Sequence, residues 1–376
     1  MSNTFAIIGG GGTGGHVIPG LAVADELVAR GRTRGQIRFI GSLAGMDAQL
    51  VPQRGYQLDA LTGRGIRRSI SPSVWIPNMK AIVGLAIGVI RGIRLVRKHR
   101  PDVVISVGGY ASFAASVGAI VWRVPLILMD QNAKAGAANR AVRWFATASA
   151  VPFPETDLPR RVLTGNPVRA EILTVDRVRD RLKARADLRL AKATIVIAVA
   201  SGSLGARRIN DAIFGLSQMW RDRTDVEIYH VIGRRDFAST KSQQRASASG
   251  ALRYHPVEFE HRMDVVYAAA DILIGRAGGT TMAELAIVGL PAIVVPLPIA
   301  PRDHQTANAR AMGSAVVCVN DSECNAERLA TVLSEIVTTP GQLSKMSADA
   351  QLLGRRDAVQ RVADLVELHA RKSAAA

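Results

Sequence analysis

Phe5-Ala6-Ile7-Ile8-Gly9-Gly10-Gly11-Gly12-Thr13-Gly14-Gly15-His16 decides how the rest of the chain is read. The apolar run 5–8 predicts a strand and the glycines a turn. The spacing of Leu21, Val23, Ala24, Leu27 and Val28 predicts a helix ending at Gly31. Glycine suits such a turn because it tolerates φ > 0 and lets a ligand approach the backbone. A helix opening on the turn presents unpaired N–H groups and the positive end of its dipole, which suits a phosphate or a developing negative charge. A tight turn that binds nothing is the plainer alternative. Six glycines in the seven positions 9–15, followed by a titratable His, weigh against it.

Gly10-x-Gly12-x-x-Gly15 also fits the dinucleotide fingerprint, which requires an acid about 20 residues further on, at the end of the second strand. The second strand candidate is 37–41 and ends in Ser42; Asp47 comes too late, inside the next helical stretch. A nicotinamide or flavin enzyme is therefore disfavoured.

With 376 residues the chain is long enough for two domains. Cys318 and Cys324 form no disulfide or metal-ligand pattern, and no basic n-region or apolar h-region precedes the first strand. The sequence thus predicts a protein of a reducing cytoplasm. A net charge of +17 points either to an arginine-rich surface or to an anionic partner. Aromatics are sparse and no nucleic-acid motif is present, so nucleic acid is not the expected partner. Arg91, Arg94, Arg97, Lys98 and Arg100 instead close the apolar stretch 81–90, which is too short to span a bilayer. Ile82, Leu85, Ala86, Val89 and Ile93 have helical spacing and predict one apolar face against anionic lipid. A buried helix with a solvated basic end fits the same pattern.

Strand and helix signals alternate throughout, the pattern of an α/β protein with parallel sheets. Strands are expected at 5–8, 37–40, 103–107, 126–129 and 148–151, then at 195–200, 227–232, 272–274 and 292–296, with 315–319 at an edge. The second half restarts like the first, since strand 195–200 runs into Ser201-Gly202-Ser203-Leu204-Gly205-Ala206-Arg207. The proline-rich stretch 152–167 reads as a hinge. Two domains are expected, 1–166 and 167–354, with a helix at about 355–376 packing back on the first.

Further glycine-rich or polar stretches fall where loops should follow strands. They are Gly108-Gly109-Tyr110, Asp130-Gln131-Asn132, the run 275–281 opening a helix that bears Glu284, and the run 302–308. In this order they resemble the peptidoglycan N-acetylglucosaminyltransferase family. GGTGGHxxPGLA is matched at 11–22, PDVVxxxGGY at 101–110, and the QN of HEQN at Gln131-Asn132. GNPVR is matched at 165–169, GGSxGAR at 201–207, RxGxxTxxE at 276–284, and DHQxxNA at 303–309. The departures are Met129-Asp130 for the His-Glu of HEQN, Ser201 for the first glycine of GGS, and Gly279-Thr280-Thr281 for ALT.

The resemblance implies a GT-B fold, two Rossmann-like parallel-sheet domains facing across a cleft. It implies inverting transfer of N-acetylglucosamine from UDP-GlcNAc to lipid I, with neither metal nor cofactor, on the cytoplasmic face of the membrane. The first domain would hold the acceptor and the second the nucleotide sugar. Donor contacts are implied at Thr13, Gly14, Gly15, Asn132, Arg169, Ser203, Gly279, Thr280, Thr281, Glu284, Gln305 and Asn308. Membrane contacts are expected at Ile82, Leu85, Val89, Arg94 and Arg97. Cell-wall and division proteins are partners by resemblance only.

The chemistry of the residues agrees. No DxD-like acidic pair stands on a post-strand loop, so helix N-termini and arginine are expected to carry the pyrophosphate charge. Glu284 suits ribose hydroxyls, or simply complements its helix dipole. Gln305 and Asn308 share a helical face and suit sugar hydroxyls, or are ordinary surface groups. His16 is a candidate general base for the acceptor hydroxyl, and equally a residue that positions substrate or caps its helix. Two rival functions remain at this stage, a transferase with another lipid acceptor or sugar, and a nucleotide-sugar-binding protein without activity. Retention of His16, Glu284 and Gln305 speaks against the second.

Overall fold

The computed structural model describes residues 4–62, 75–192, 194–202 and 204–371, and only the backbone of residues 75–82. The chain divides into two compact units, Met1–Arg169 with Asp357–Ala376, and Ala170–Arg356.

In the first unit the strands are β1 (Ala6–Gly9), β2 (Ile37–Ser42), β3 (Gln57–Leu61), β4 (Val103–Ser106), β5 (Leu126–Met129), β6 (Ala148–Val151) and β7 (Arg161–Leu163). They pair in parallel in the order β3-β2-β1-β4-β5-β6-β7. The central strands are apolar on both faces because helices cover both. Ala6 and Ile8 of β1 join Val103 and Ile105 of β4 in one core, whereas Ile7 and Val104 point into the other. The helices are α1 (Gly14–Ala29), α2 (Asp47–Gln53), α3 (Trp75–His99), α4 (Tyr110–Val121) and α5 (Ala137–Val142). The last helix of the chain, α15 (Ala358–His369), inserts Val362, Ala363, Leu365 and Val366 into the core that also holds Leu27 of α1. Arg30 at the end of α1 pairs with Asp364 and Glu367 of that helix at 2.6 and 2.9 Å.

In the second unit the strands are β8 (Ile195–Ala200), β9 (Val226–Val231), β10 (Arg253–Val257), β11 (Ile272–Gly275), β12 (Ala292–Val294) and β13 (Val316–Cys318), in the parallel order β10-β9-β8-β11-β12-β13. Its helices are α6 (Ala170–Leu173), α7 (Arg177–Asp187), α8 (Arg207–Met219), α9 (Lys241–Ser247), α10 (Met263–Ala269), α11 (Gly279–Val288), α12 (His304–Ala311), α13 (Ala326–Thr338) and α14 (Gln342–Leu353). Arg185 of α7 is wholly buried and is satisfied by Asp271 at 2.7 Å and by four backbone carbonyls.

The sequence did not announce β3, β7 and β10, and all three are edge strands. Sheet geometry places the loops that follow β1, β4, β8 and β11 at the carboxyl ends of central strands, where open α/β sheets bind ligands.

Gly109 shows how closely the loops of the first unit approach. Its φ is +88°, and a Cβ there would overlap the backbone of Gly11. Gly109→Ala combines left-handed strain with overpacking and is expected to cost at least about 2 kcal/mol. A thermal melt by circular dichroism checks this, and an unchanged midpoint would refute the close approach.

Candidate functional site

The glycine turn of the first unit is held by a carboxylate that the sequence reading set aside. Asp47, the first residue of α2, is buried and turns back onto the loop. Its Oδ2 accepts from Gly12 N at 2.8 Å and Ser42 N at 3.0 Å. Burial pushes its pKa up, opposed by these two N–H groups and by charge on His16. The dinucleotide reading is thus closed by geometry, since the acid is engaged with backbone and is not the ribose partner at the end of β2.

His16, the third residue of α1, lies in the gap left by two missing side chains. A Cβ on Gly11 would stand 2.6 Å from its Nδ1, and one on Gly108 would stand 2.9 Å from its Nε2. Thr13 Oγ1 lies 2.8 Å from Nδ1. Thr13 has the extended backbone of an N-cap, yet its side chain caps no helix N–H. Its hydroxyl therefore orients the imidazole. Gly14 and Gly15 open the helix and keep the approach to its first amides clear.

Beyond β5, Asp130 organises the loop that carries Asn132. Oδ1 accepts from Asn132 N at 3.1 Å, and Oδ2 accepts from Gly136 N and Asn139 Nδ2, both at 2.9 Å. Asn139 Oδ1 accepts from Ser106 Oγ at 2.6 Å. Ser106 in turn takes the Ser112 hydroxyl at 2.6 Å, and Ser112 Oγ accepts from Gly108 N at 3.1 Å. This buried chain ties the loop after β5 to the loop beside His16. Asp130 is fully buried, which raises its pKa; its donors and charge on His16 pull the other way. Sequence reasoning missed Asp47, Ser106, Ser112 and Asn139, because a small polar residue beside a strand end gives no periodic signal.

In the second unit β8 runs into Ser201 and Gly202, the latter at φ +83°, and Gly205 follows at φ +77°. Ser203, expected at the donor phosphate, lies outside the described residues. Across the sheet β11 leads to α11, whose first residues are Gly279, Thr280 and Thr281. Met282 N makes the first helical bond, to Gly278 O at 2.9 Å, so the three preceding amides sit at the open N-terminus. Glu284 follows one turn later, buried, with Oε2 accepting from Tyr267 Oη at 2.9 Å. Glu284 is therefore not a surface acid, and a buried carboxylate near a helix N-terminus still complements the dipole.

Gln305 and Asn308 are not ordinary surface groups either. Gln305 Oε1 accepts from Leu297 N at 3.0 Å, holding the loop after β12. Asn308 is fully buried and donates Nδ2 to Ala277 O at 3.0 Å, holding the loop after β11. Arg276 fastens the same region, donating Nη1 to Val295 O, Pro296 O and Asp321 Oδ1 at 2.9, 3.1 and 2.6 Å. Arg169 is half-buried, at the last position of the first unit before Ala170.

The apolar face expected on α3 is rotated. Leu85, Val89 and Ile93 are half-buried, and the side chain of Ile82 lies outside the described residues. The outward apolar row is Val83 (56% exposed), Ile87 (50%) and Ile90 (48%), continued by the exposed Arg94. Small residues decide the rotation, since Gly92 packs against the backbone of Ala114 of α4 and Gly88 against Tyr110. Arg94, Arg97, Lys98 and Arg100 line an open depression of about 560 Å³. Among the described residues no helix is long and apolar enough to cross a membrane, and no cluster of three or more His, Cys, Asp or Glu stands ready for a metal.

Comparison with known proteins agrees with this geometry. The glycosyltransferase family 28 N-terminal domain matches residues 6–151, and the glycosyltransferase family 28 C-terminal domain matches residues 196–362. A UDP-N-acetylglucosamine–N-acetylmuramyl-(pentapeptide) pyrophosphoryl-undecaprenol N-acetylglucosamine transferase of Moorella thermoacetica is 37% identical, covering 96% of this chain and 97% of the relative. The protein of the same name from Acidothermus cellulolyticus is 36% identical, with 96% of both chains covered. The crystal structure of Acinetobacter baumannii MurG superposes with a TM-score of 0.76 at 25% identity, covering 97% of this chain and 99% of that one. The two parallel-sheet units are those of a GT-B enzyme, and the chain belongs to glycosyltransferase family 28.

Proposed function

We propose that this protein transfers N-acetylglucosamine from UDP-GlcNAc to undecaprenyl-pyrophosphoryl-MurNAc-pentapeptide, converting lipid I to lipid II with inversion at the anomeric carbon. The observation that carries the reading is 37% identity along nearly the whole chain to a transferase of that name. The acceptor 4-hydroxyl attacks the anomeric carbon, the bond from that carbon to UDP breaks, and the hydroxyl proton passes to a base. His16 is that base in our reading. With Nδ1–H donated to Thr13 Oγ1, the basic nitrogen is Nε2. The first unit holds the acceptor and the second the nucleotide sugar. Glu284 receives the ribose hydroxyls, and the amides opening α8 and α11, with Arg169, carry the diphosphate and sugar without a metal. Asn132, Gln305 and Asn308 shape the donor pocket through the loops they hold.

Membrane attachment is peripheral in this proposal, on the cytoplasmic face. The row Val83, Ile87 and Ile90 enters the interface while Arg94, Arg97 and Lys98 meet lipid phosphates.

Product analysis with purified lipid I and a panel of UDP-sugars tests the reaction. Lipid II should form from UDP-GlcNAc alone, in the presence of chelator; turnover only with another sugar or acceptor would overturn the assignment. Glu284→Ala should raise KM for UDP-GlcNAc more than it lowers kcat, because the ribose contact exists in ground and transition states alike. Unchanged nucleotide affinity would remove Glu284 from the ribose. His16→Ala should lower kcat by about 10²–10⁴-fold and abolish the acidic limb of the pH–rate profile. A loss below about tenfold with that limb intact would make His16 a positioning residue. Each cation near an anionic surface contributes about 1 kcal/mol, so Arg94→Glu with Arg97→Glu should release the protein from anionic vesicles. Turnover of a short-chain soluble acceptor should survive, and equal vesicle binding by variant and parent would exclude this face.

A further inference from the structure

Beneath the glycine loop that opens α8 lies a buried polar chain to which the proposed reaction assigns no role. His230 of β9 is fully buried, with Nδ1 2.7 Å from Tyr254 Oη and Nε2 3.0 Å from Asn210 Oδ1. Asn210, in the first turn of α8, directs Nδ2 to Ile232 O at 3.0 Å and Asp236 Oδ2 at 3.3 Å. A backbone carbonyl only accepts, so the amide nitrogen faces Ile232 and Oδ1 faces His230. The imidazole must then carry its proton on Nε2 and accept the Tyr254 hydroxyl at Nδ1. Phe214 packs against the ring at a centroid distance of 5.5 Å. Burial pushes the imidazole pKa down to about 3, so this neutral tautomer persists throughout the physiological range.

The far end of the chain reaches the loop itself. Ile232 O lies directly under Gly205, where a Cβ would overlap it, and Gly205 N closes the turn onto Gly202 O at 3.0 Å. Asp236 is buried and accepts from Arg235 Nε and Nη2 at 2.9 and 2.8 Å, with Arg207 Nη2 at 3.6 Å. Arg207 is the first residue of α8. One histidine thus sets the amide that fixes both the carbonyl under the loop and the carboxylate holding two arginines beside it.

We infer that His230 is a positioning residue for the donor diphosphate, acting through Asn210 on the backbone at Gly205 and on Arg207 and Arg235. The inference rests on the second unit being the nucleotide-sugar domain. His230 touches no substrate; its effect is to hold the loop amides in the geometry that receives phosphate oxygens, which lowers the reorganisation needed on binding.

Calorimetric titration with UDP, together with steady-state kinetics, tests this. His230→Phe keeps the ring volume and removes both hydrogen bonds. It should raise the UDP dissociation constant and KM for UDP-GlcNAc by about 5- to 30-fold while kcat at saturating donor stays within about threefold. A residue that merely stabilised the fold would lower the active fraction, and so kcat, at unchanged KM. His230→Gln, whose Nε2 can donate to Asn210 Oδ1, should recover affinity to within about threefold of the parent. Asn210→Ala cuts the chain one link later and should match His230→Phe. If His230→Phe fails to fold, Asn210→Ala decides; either variant, folded and binding UDP like the parent, overturns the inference. Loss of UDP affinity in Glu284→Ala but in neither of these would leave the donor domain standing and sink only the role of His230. A parent that binds no UDP would remove the reading and the inference together.

Discussion

Backbone must approach backbone at the carboxyl ends of both sheets, and the rest of the structure is arranged around that contact. In the first unit Gly11 meets Gly108 and Gly109, and Gly12 meets Gly45. In the second Gly205 meets Ile232 and Gly233, and Gly275 meets Ala200. No side chain fits between these strands of backbone, so the loops cannot be held by hydrophobic packing. Buried polar side chains hold them instead. Asp47 takes amides from the first glycine loop and from the end of β2, Asp130 takes two from the loop after β5, and Asp236 and Asn210 work beneath the loop after β8. Burying a carboxylate costs several kcal/mol unless donors meet it, and each of these acids accepts at least two hydrogen bonds. The result is a set of loops with open amides, small side chains and little freedom to rearrange, which is what phosphate and sugar recognition requires.

Charge follows the same division. The surplus of arginine is partly internal, since Arg185, Arg177 and Arg276 serve as multidentate clamps on carbonyls and on Asp271 or Asp321. A planar fork suits this better than an ammonium, because several carbonyls can be met at once in fixed geometry. Another share gathers at the end of α3, where Arg94, Arg97, Lys98 and Arg100 surround a shared depression. Holding four like charges close together costs stability, and the outward apolar row lies beside them on the same helix, which is the basis of the lipid contact proposed for this face.

How much of this was legible in the sequence depended on how strongly each position was buried. The central strands β1, β4, β5, β8 and β11 are covered on both faces and read as unbroken apolar runs. β3, β7 and β10 lie at edges and carry Gln57 and Asp59, Arg161, and Arg253 and His255, so they look like loops. The glycine loops were visible because composition alone marks them. The side chains that support them were not, since Asp47 or Asn139 becomes a loop anchor only when the fold brings it back to a strand end far off in sequence. α3 failed differently. Its sequence is apolar on most faces, so periodicity could not choose which face packs; Gly88 and Gly92 chose it by admitting α4.

The departures from the family pattern at 129–130 are explained by the same anchoring. Met129 is the last residue of β5 and lies in the core with Ile127 and Ala150, a place where an apolar side chain is at no disadvantage to an imidazole. Asp130 has one methylene fewer than the family's Glu, yet both its oxygens reach donors at 2.9 to 3.1 Å. What the position supplies is an acceptor for the amides of Asn132 and Gly136 and for Asn139, and through Asn139 the hydroxyls that lead to Gly108. A carboxylate so engaged has little capacity left for proton transfer, and its burial already disfavours the charged form a base would need. The proposed proton-transfer role of His16 does not depend on Asp130, because the His16 ring stands between Gly11 and Gly108 with Thr13 on Nδ1, and the substitutions at 129–130 leave that arrangement intact.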